Sequence, residues 1–200
     1  MSEQPAEAIR VTVLVARVLD QLGVSHAVVG SLASSLHGIP RSTNDVDIVA
    51  ALRPEHAGPL AEALGESFYV DVDMIRDAIT RRSEFNVIHL ATMFKVDVFV
   101  PPLDPISRAQ IARAAVVSVD AEGSLTLRVA SAEDTVAQKL MWYRRGGETS
   151  ERQWLDTLGV IAVQGKSLDL EYLRQTTDAL GVTDLLERAL AESAPGAPGT

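Results

Sequence analysis

The 200-residue chain contains no cysteine, which excludes disulfides, thiolate zinc sites, iron–sulfur clusters and a cysteine nucleophile. No stretch approaches the roughly 18 consecutive apolar residues of a membrane helix. The first eight residues lack the basic start and apolar run of a secretory signal, so a soluble, cytoplasmic protein with no membrane partner is expected. A basic surplus is missing as well: 18 Lys and Arg stand against 27 Asp and Glu, a formal charge of -9. With a pI of about 4.9, the chain is not one held on nucleic acid by bulk positive charge, and only local basic patches remain available. Lysine itself is scarce, at three residues. There is no internal repeat and no Gly/Ser/Pro-rich spacer between folded parts. What the chain does have is core-forming composition, 46% hydrophobic against 22% charged, which excludes disorder throughout and suits one generous domain or two small ones.

Periodicity divides the chain near residue 130. Before it, helical spacing predicts a first helix over 6–22, stopped by Gly23, then a short buried strand His26–Gly30 and a brief small-residue helix. Asp45–Ala50 alternates polar and apolar as a strand should. Helices are expected over 54–66 and 73–82, a strand over 68–72, and hairpins pairing 85–90 with 94–100 and 116–119 with 125–129. After Ser131 only helices are expected, over 132–144, 151–162, 169–180 and 182–192, with Ser131 and Asp134 marking the first start. The expected organisation is a domain over 1–130, a helical lobe over 131–193, the two sharing an interface, and a frayed tail over 194–200.

Three acids carry the chemistry. Asp45 and Asp47 sit at i and i+2 of one strand, so their carboxylates share a face while Val46 and Ile48 turn to the core. Such a pair is either a solvent-facing edge or a site for a divalent cation, the strongest neutraliser of adjacent carboxylates. Asp97 is the one acid in the apolar strand Phe94–Val100, and a buried carboxylate needs compensation. A salt bridge to an arginine supplies it in one reading; in the other it is a metal shared with Asp45 and Asp47. Strand-borne carboxylates gathering two Mg²⁺ ions are a common arrangement for in-line phosphoryl and nucleotidyl transfer. Gly30 and Ser31, at a strand-to-helix turn, allow close backbone approach to a phosphate and present helix N–H groups.

Val29-Gly30-Ser31, a short helix and Asp45-Val46-Asp47, with Asp97 as third carboxylate, match the signature of the nucleotidyltransferase superfamily. The longer string through Ala33, His37-Gly38 and Arg41-Ser-Thr43-Asn to Asp47 resembles the AbiEii and MenT group of toxin-like nucleotidyltransferases. The resemblance covers residues 24–100 and, more loosely, the helical tail. It implies an α/β (α+β) fold, a mixed sheet flanked by helices with a C-terminal helical lobe and nucleotide in the cleft between lobes. It also implies an Mg²⁺-dependent transfer of a nucleoside monophosphate from a nucleoside triphosphate to a hydroxyl. Asp45, Asp47 and Asp97 would hold the metal, with Asp97 favouring deprotonation of the acceptor. Gly30, Ser31, Arg41, Thr43 and Lys139 would meet the nucleotide; Lys139 is placed by the group's phosphate-binding lysine on the first helix after the catalytic lobe. The group's Arg-Asp pair beyond that lysine has its nearest equivalents in Arg152 and Asp156. Implied partners are tRNA or another RNA acceptor and a cognate antitoxin protein. The alternatives are a protein or small-molecule acceptor, or a catalytically silent nucleotide-binding or interaction module. Arg41 has a second reading as a loop salt bridge, and Thr43 as a group orienting Asp45. Lys139, Arg144, Arg145 and Arg152 form the expected basic cluster, and Trp142 and Tyr143 are expected to pack between the lobes.

Overall fold

The computed structural model describes residues 7–102 and 104–193; the expected frayed tail, 194–200, lies outside them. The chain divides into two compact units, one formed by the residues up to Val29 with Thr43–Ala130, the other by Gly30–Ser42 with the residues from Ser131 on. The expected boundary at 130 is therefore joined by an excursion: Gly30–Ser42, read as part of the catalytic lobe, packs with the helices.

The first unit is built on a seven-stranded mixed sheet. Its strands are β1 (His26–Val29), β2 (Asp45–Ala50), β3 (Phe68–Tyr69), β4 (Glu84–His89), β5 (Phe94–Phe99), β6 (Ala115–Ser118) and β7 (Thr126–Val129), in the order β3-β4-β5-β2-β1-β7-β6. Both hairpins read from the sequence are present, β4 with β5 and β6 with β7, each antiparallel. β1 runs antiparallel to β2, whereas β2 and β5 are parallel. A parallel pair cannot be closed by a tight turn and needs a crossover, which residues 51–93 supply. Four helices belong to this unit: α1 (Glu7–Gln21), α3 (Ala57–Leu64, preceded by a 3-10 turn at Pro54–His56), α4 (Val72–Arg81) and α5 (Pro105–Arg113). α1 lies across β2, β5 and β7, and its Val11, Val15 and Leu19 are buried together with Val46, Ile48, Val96 and Val98 of the sheet. This is the alternation that leaves Asp45 and Asp47 on the other face of β2. The expected strand 68–72 shrinks to two residues because Asp71 turns to cap α4, accepting from the Asp73 and Met74 amides. α5 has no counterpart in the sequence reading.

The second unit contains α2 (Gly30–His37), α6 (Ala132–Arg145), α7 (Glu151–Gln164), α8 (Leu170–Ala179) and α9 (Thr183–Glu192). Its core gathers Val136, Leu140, Tyr143, Trp154, Val160, Leu173, Leu186 and their neighbours. Ser131 caps α6 by accepting from the Asp134 amide at 3.1 Å. The Asp134 carboxylate in turn accepts from the Ser131 and Tyr172 hydroxyls at 2.9 and 2.7 Å. Tyr143 stacks on Trp154 at 5.2 Å within this core, while Trp142 is 49% exposed; the expectation that both serve as packing between lobes is corrected to one core residue and one surface residue. Gly38 explains why the excursion belongs here. A Cβ on it would stand 2.7 Å from the Val160 nitrogen and 2.8 Å from the Gly159 carbonyl carbon, so only glycine lets the end of α2 meet the backbone of α7. Among the described residues no helix is long and apolar enough to cross a membrane.

Gly38→Ala is expected to destabilise the protein by about 1–3 kcal/mol, the usual cost of overpacking against an unyielding partner. Thermal unfolding measures it, and an unchanged melting temperature would show that α7 gives way.

Candidate functional site

The first group of site residues is an array on one face of the sheet. The parallel register of β2 and β5 pairs Asp47 with Asp97 and Asp45 with Lys95, and residues paired across adjacent strands stand on the same face. Neighbouring strands are roughly 4.8 Å apart. Three carboxylates and one ammonium therefore occupy adjoining positions of a two-by-two patch. Thr43, just before β2, donates its hydroxyl to the Asp45 carbonyl at 2.8 Å and approaches Asp45 Oδ1 at 3.3 Å.

Asp97 is 8% exposed. The ion pair it makes is with a lysine, not an arginine: Lys95 Nζ stands 2.7 Å from Asp97 Oδ2. The sequence reading passed over Lys95, although its spacing of i and i+2 from Asp97 was the available signal. The hydrogen bond it donates to Asp97 holds the Lys95 ammonium above its ordinary pKa against partial burial, and the charges of Asp97, Asp45 and Asp47 add to it. Asp97 Oδ1 is buried and has no hydrogen-bond partner among the described residues. No three acidic or imidazole side chains among the described residues converge closely enough to hold a metal ion. The donor set nevertheless suits a hard divalent cation, being all carboxylate oxygen with one buried oxygen left over.

The second group lies within the helical unit. Gly30 opens α2 with φ of 64°, a left-handed conformation glycine adopts without penalty. Ser31 follows in its first turn. Arg41, in the loop after α2, grips Asp156 of α7 with both prongs, Nε to Oδ1 at 2.7 Å and Nη2 to Oδ2 at 2.7 Å, and Nη2 also donates to Ser31 Oγ at 2.6 Å. Lys139 of α6 donates to Asp156 Oδ2 at 2.6 Å. Three of the residues expected to meet the nucleotide, Ser31, Arg41 and Lys139, are thus gathered by a fourth, Asp156. The loop is held by Ser35 Oγ, which accepts from the Arg41 amide at 3.4 Å, and by Gln164, which donates to the His37 carbonyl at 2.6 Å.

The expected basic rim is corrected. Lys139 is buried, with only 6% of its side chain exposed, and Arg144 is paired with Glu148 and Asp184. Arg145 stacks over Trp142 at 5.3 Å. Lys139 thus shares a buried ion cluster with Arg41, not an exposed patch with Arg144 and Arg145.

No protein-family model matches the chain, and no curated protein matches it in sequence. Solved structures do match. A nucleotidyltransferase-like antigenic protein from Paracoccidioides brasiliensis aligns over 93% of each chain with a TM-score of 0.56 and 17% identity. The antibiotic-resistance factor ANT(2'')-Ia aligns over 90% of this chain and 95% of its own, with a TM-score of 0.54 and 12% identity. The same factor in complex with adenylyl-2''-tobramycin aligns over 86% and 96%, at 0.54 and 14%. The chain has a nucleotidyltransferase-like fold. The mixed sheet with flanking helices expected from the sequence is the one observed.

Burial pushes the Asp156 carboxyl upward, but the hydrogen bonds and charges of Arg41 and Lys139 outweigh it and hold the group below the usual carboxylate range. A carboxyl whose folded pKa lies below its unfolded one contributes stability above the unfolded value, and that contribution is lost as pH falls through the folded value. Asp156→Asn should therefore destabilise the protein at neutral pH by about 3 kcal/mol, since it strands the buried Lys139 charge. The gap to wild type should begin to narrow as pH falls below the ordinary carboxylate range. Chemical denaturation at pH 7 and pH 3 checks this; a gap independent of pH would contradict it.

Proposed function

We propose that the chain is an Mg²⁺-dependent nucleotidyltransferase that moves a nucleoside monophosphate from a nucleoside triphosphate to an acceptor hydroxyl, releasing pyrophosphate. The observation that carries the reading is the β2·β5 register, which sets Asp47 beside Asp97 and Asp45 one step along the same face of a nucleotidyltransferase-like sheet. In this reading Asp45, Asp47 and Asp97 would draw together from the positions they occupy here to hold the metal. Bound there, Mg²⁺ supplies Lewis-acid polarisation of the phosphate and eases loss of the acceptor proton. The acceptor oxygen bonds to the α-phosphorus as the bond to the bridging oxygen breaks, and Asp97 favours deprotonation of the hydroxyl. Gly30, Ser31, Arg41, Thr43 and Lys139 bind and orient the nucleotide. Arg41 and Lys139 bring two positive charges to Asp156, and positioning with charge neutralisation is most of what this chemistry asks of protein.

Two acceptor classes divide the support. Resemblance to toxin-like nucleotidyltransferases favours tRNA, with a cognate antitoxin protein as partner. The structural likeness to ANT(2'')-Ia, solved with adenylyl-2''-tobramycin, favours a small molecule, and the pairing of Arg144 with Glu148 and Asp184 leaves less positive surface to hold RNA. Incubation with Mg²⁺, each labelled nucleoside triphosphate and, separately, total RNA, lysate protein and a set of antibiotics decides between them. Label on RNA supports the toxin-like reading, and label elsewhere identifies the alternative. Nucleotide bound with no acceptor labelled would mark a binding module.

The metal assignment has its own test. Asp45→Asn with Asp47→Asn should lower Mg²⁺-dependent triphosphate affinity by at least about tenfold, as loss of ligands demands. The melting temperature should stay equal or rise, because two repelling charges are gone. Unchanged affinity in calorimetry would overturn the assignment.

A further inference from the structure

Lys95, on the same sheet face as the three carboxylates, has no role in the reading above. Lys95 stands between two carboxylates, Asp97 two residues along its own strand and Asp45 opposite it on β2, with its ammonium 2.7 Å from Asp97 Oδ2. Three negative charges at strand spacing repel one another, and an ammonium among them removes part of that repulsion. It is attached to the sheet and cannot diffuse away, yet its side chain is 40% exposed against 12% for Asp97, so it has solvent to move into. Asp97 has no such freedom.

We propose that Lys95 is a tethered counter-ion of the metal site: it holds Asp97 in the metal-free protein and leaves Asp97 Oδ2 when a divalent cation binds the three carboxylates. The inference rests on the metal-site reading given above and adds a competition to it. Two features make the exchange workable. A divalent ion brings twice the charge of the ammonium, so the carboxylates gain by the swap. Asp97 Oδ1, buried without a hydrogen-bond partner among the described residues, is a second oxygen that the ammonium leaves unsatisfied and that a metal ion can take up. The flexible four-carbon stem of lysine lets the ammonium withdraw without moving the strand, which a rigid planar guanidinium does less readily. Lys95 is therefore a positioning residue in the metal-free protein and a brake on metal binding.

The test is a direct titration of Mn²⁺, without nucleotide, followed by the signal of free Mn²⁺ in electron paramagnetic resonance. Lys95→Met should bind Mn²⁺ roughly tenfold more tightly than wild type, because binding no longer has to displace a cation. Its melting temperature should be lower than wild type without metal and rise more steeply with added Mn²⁺. Lys95→Gln, which keeps a hydrogen-bond donor and loses the charge, should follow Lys95→Met if charge is the cause. Combined with Asp97→Asn, the Lys95→Met change should lose most of its effect, since the ammonium acts through that carboxylate. Equal or weaker Mn²⁺ affinity in both folded Lys95 variants, with wild type binding and Asp45→Asn/Asp47→Asn not, would overturn the counter-ion while leaving the metal site standing. Absence of Mn²⁺ binding in wild type and in every Lys95 variant would overturn both.

Discussion

The parallel pairing of β2 with β5 is the constraint from which the candidate site follows. Backbone hydrogen bonding fixes the strand separation, and register fixes which residues stand opposite, so Asp47 and Asp97 are neighbours whatever their charges prefer. The cost of that arrangement is met elsewhere in the sheet. Val46 and Ile48 on β2 and Val96 and Val98 on β5 are all buried, and register is strongly specified where one face is apolar, because a slip of one residue would turn the acids into the core. The same alternation that builds the core therefore aims the carboxylates. Lys95 offsets the remaining repulsion locally.

The helical unit meets the opposite problem by the same means. Arg41 and Lys139 are two cations drawn to one place, and Asp156 lies between them with both oxygens engaged. A bidentate guanidinium is directional where an ammonium is not, so Arg41 fixes the carboxylate and Lys139 is held against the oxygen that remains in reach. Register gathers Asp45, Asp47, Asp97 and Lys95 on the sheet, and hydrogen bonding gathers Arg41, Lys139 and Asp156 in the helical unit, so in both places directional contacts hold opposite charges together.

How much of this the sequence displays depends on the range of the interaction. Strand alternation, both hairpins, the Ser131 cap and the shared face of Asp45 and Asp47 are local, and they are legible in the residues. Thr43 as an orienter of Asp45 is likewise two residues away from its target. α5 is not legible: only Gln110 and Ile111 of its nine residues are buried, so it has almost no apolar stripe, and its start rests on Asp104 accepting from the Ser107 amide with Pro105 behind it. The grouping of Gly30–Ser42 with the helices is hidden for another reason. It depends on the missing side chain of Gly38 against a helix more than a hundred residues later, and no periodicity reports a close approach of backbones. Asp156 is visible only as the nearest equivalent of one member of a family pair, because its partners Arg41 and Lys139 come from two other segments of the chain.

If the chain carries out the transfer proposed above, its surface charges bear on which acceptor it would hold. Arg53 with Glu55, Arg76 with Asp73, Arg81 with Asp77, Arg174 with Glu187 and Arg188 with Glu192 are all surface ion pairs. Such pairs add little stability, about 0–1 kcal/mol each, but each cancels a charge that would otherwise project into solvent. On a chain of net charge -9, that leaves no broad positive field, and polyanions are drawn in chiefly by such fields. Recognition of an acceptor then has to come from contacts made at the reacting end, by shape and hydrogen bonds, since long-range attraction does not supply it. A compact hydroxyl-bearing molecule meets that condition directly. An RNA meets it only where a single protruding terminus, with few backbone phosphates, enters the site.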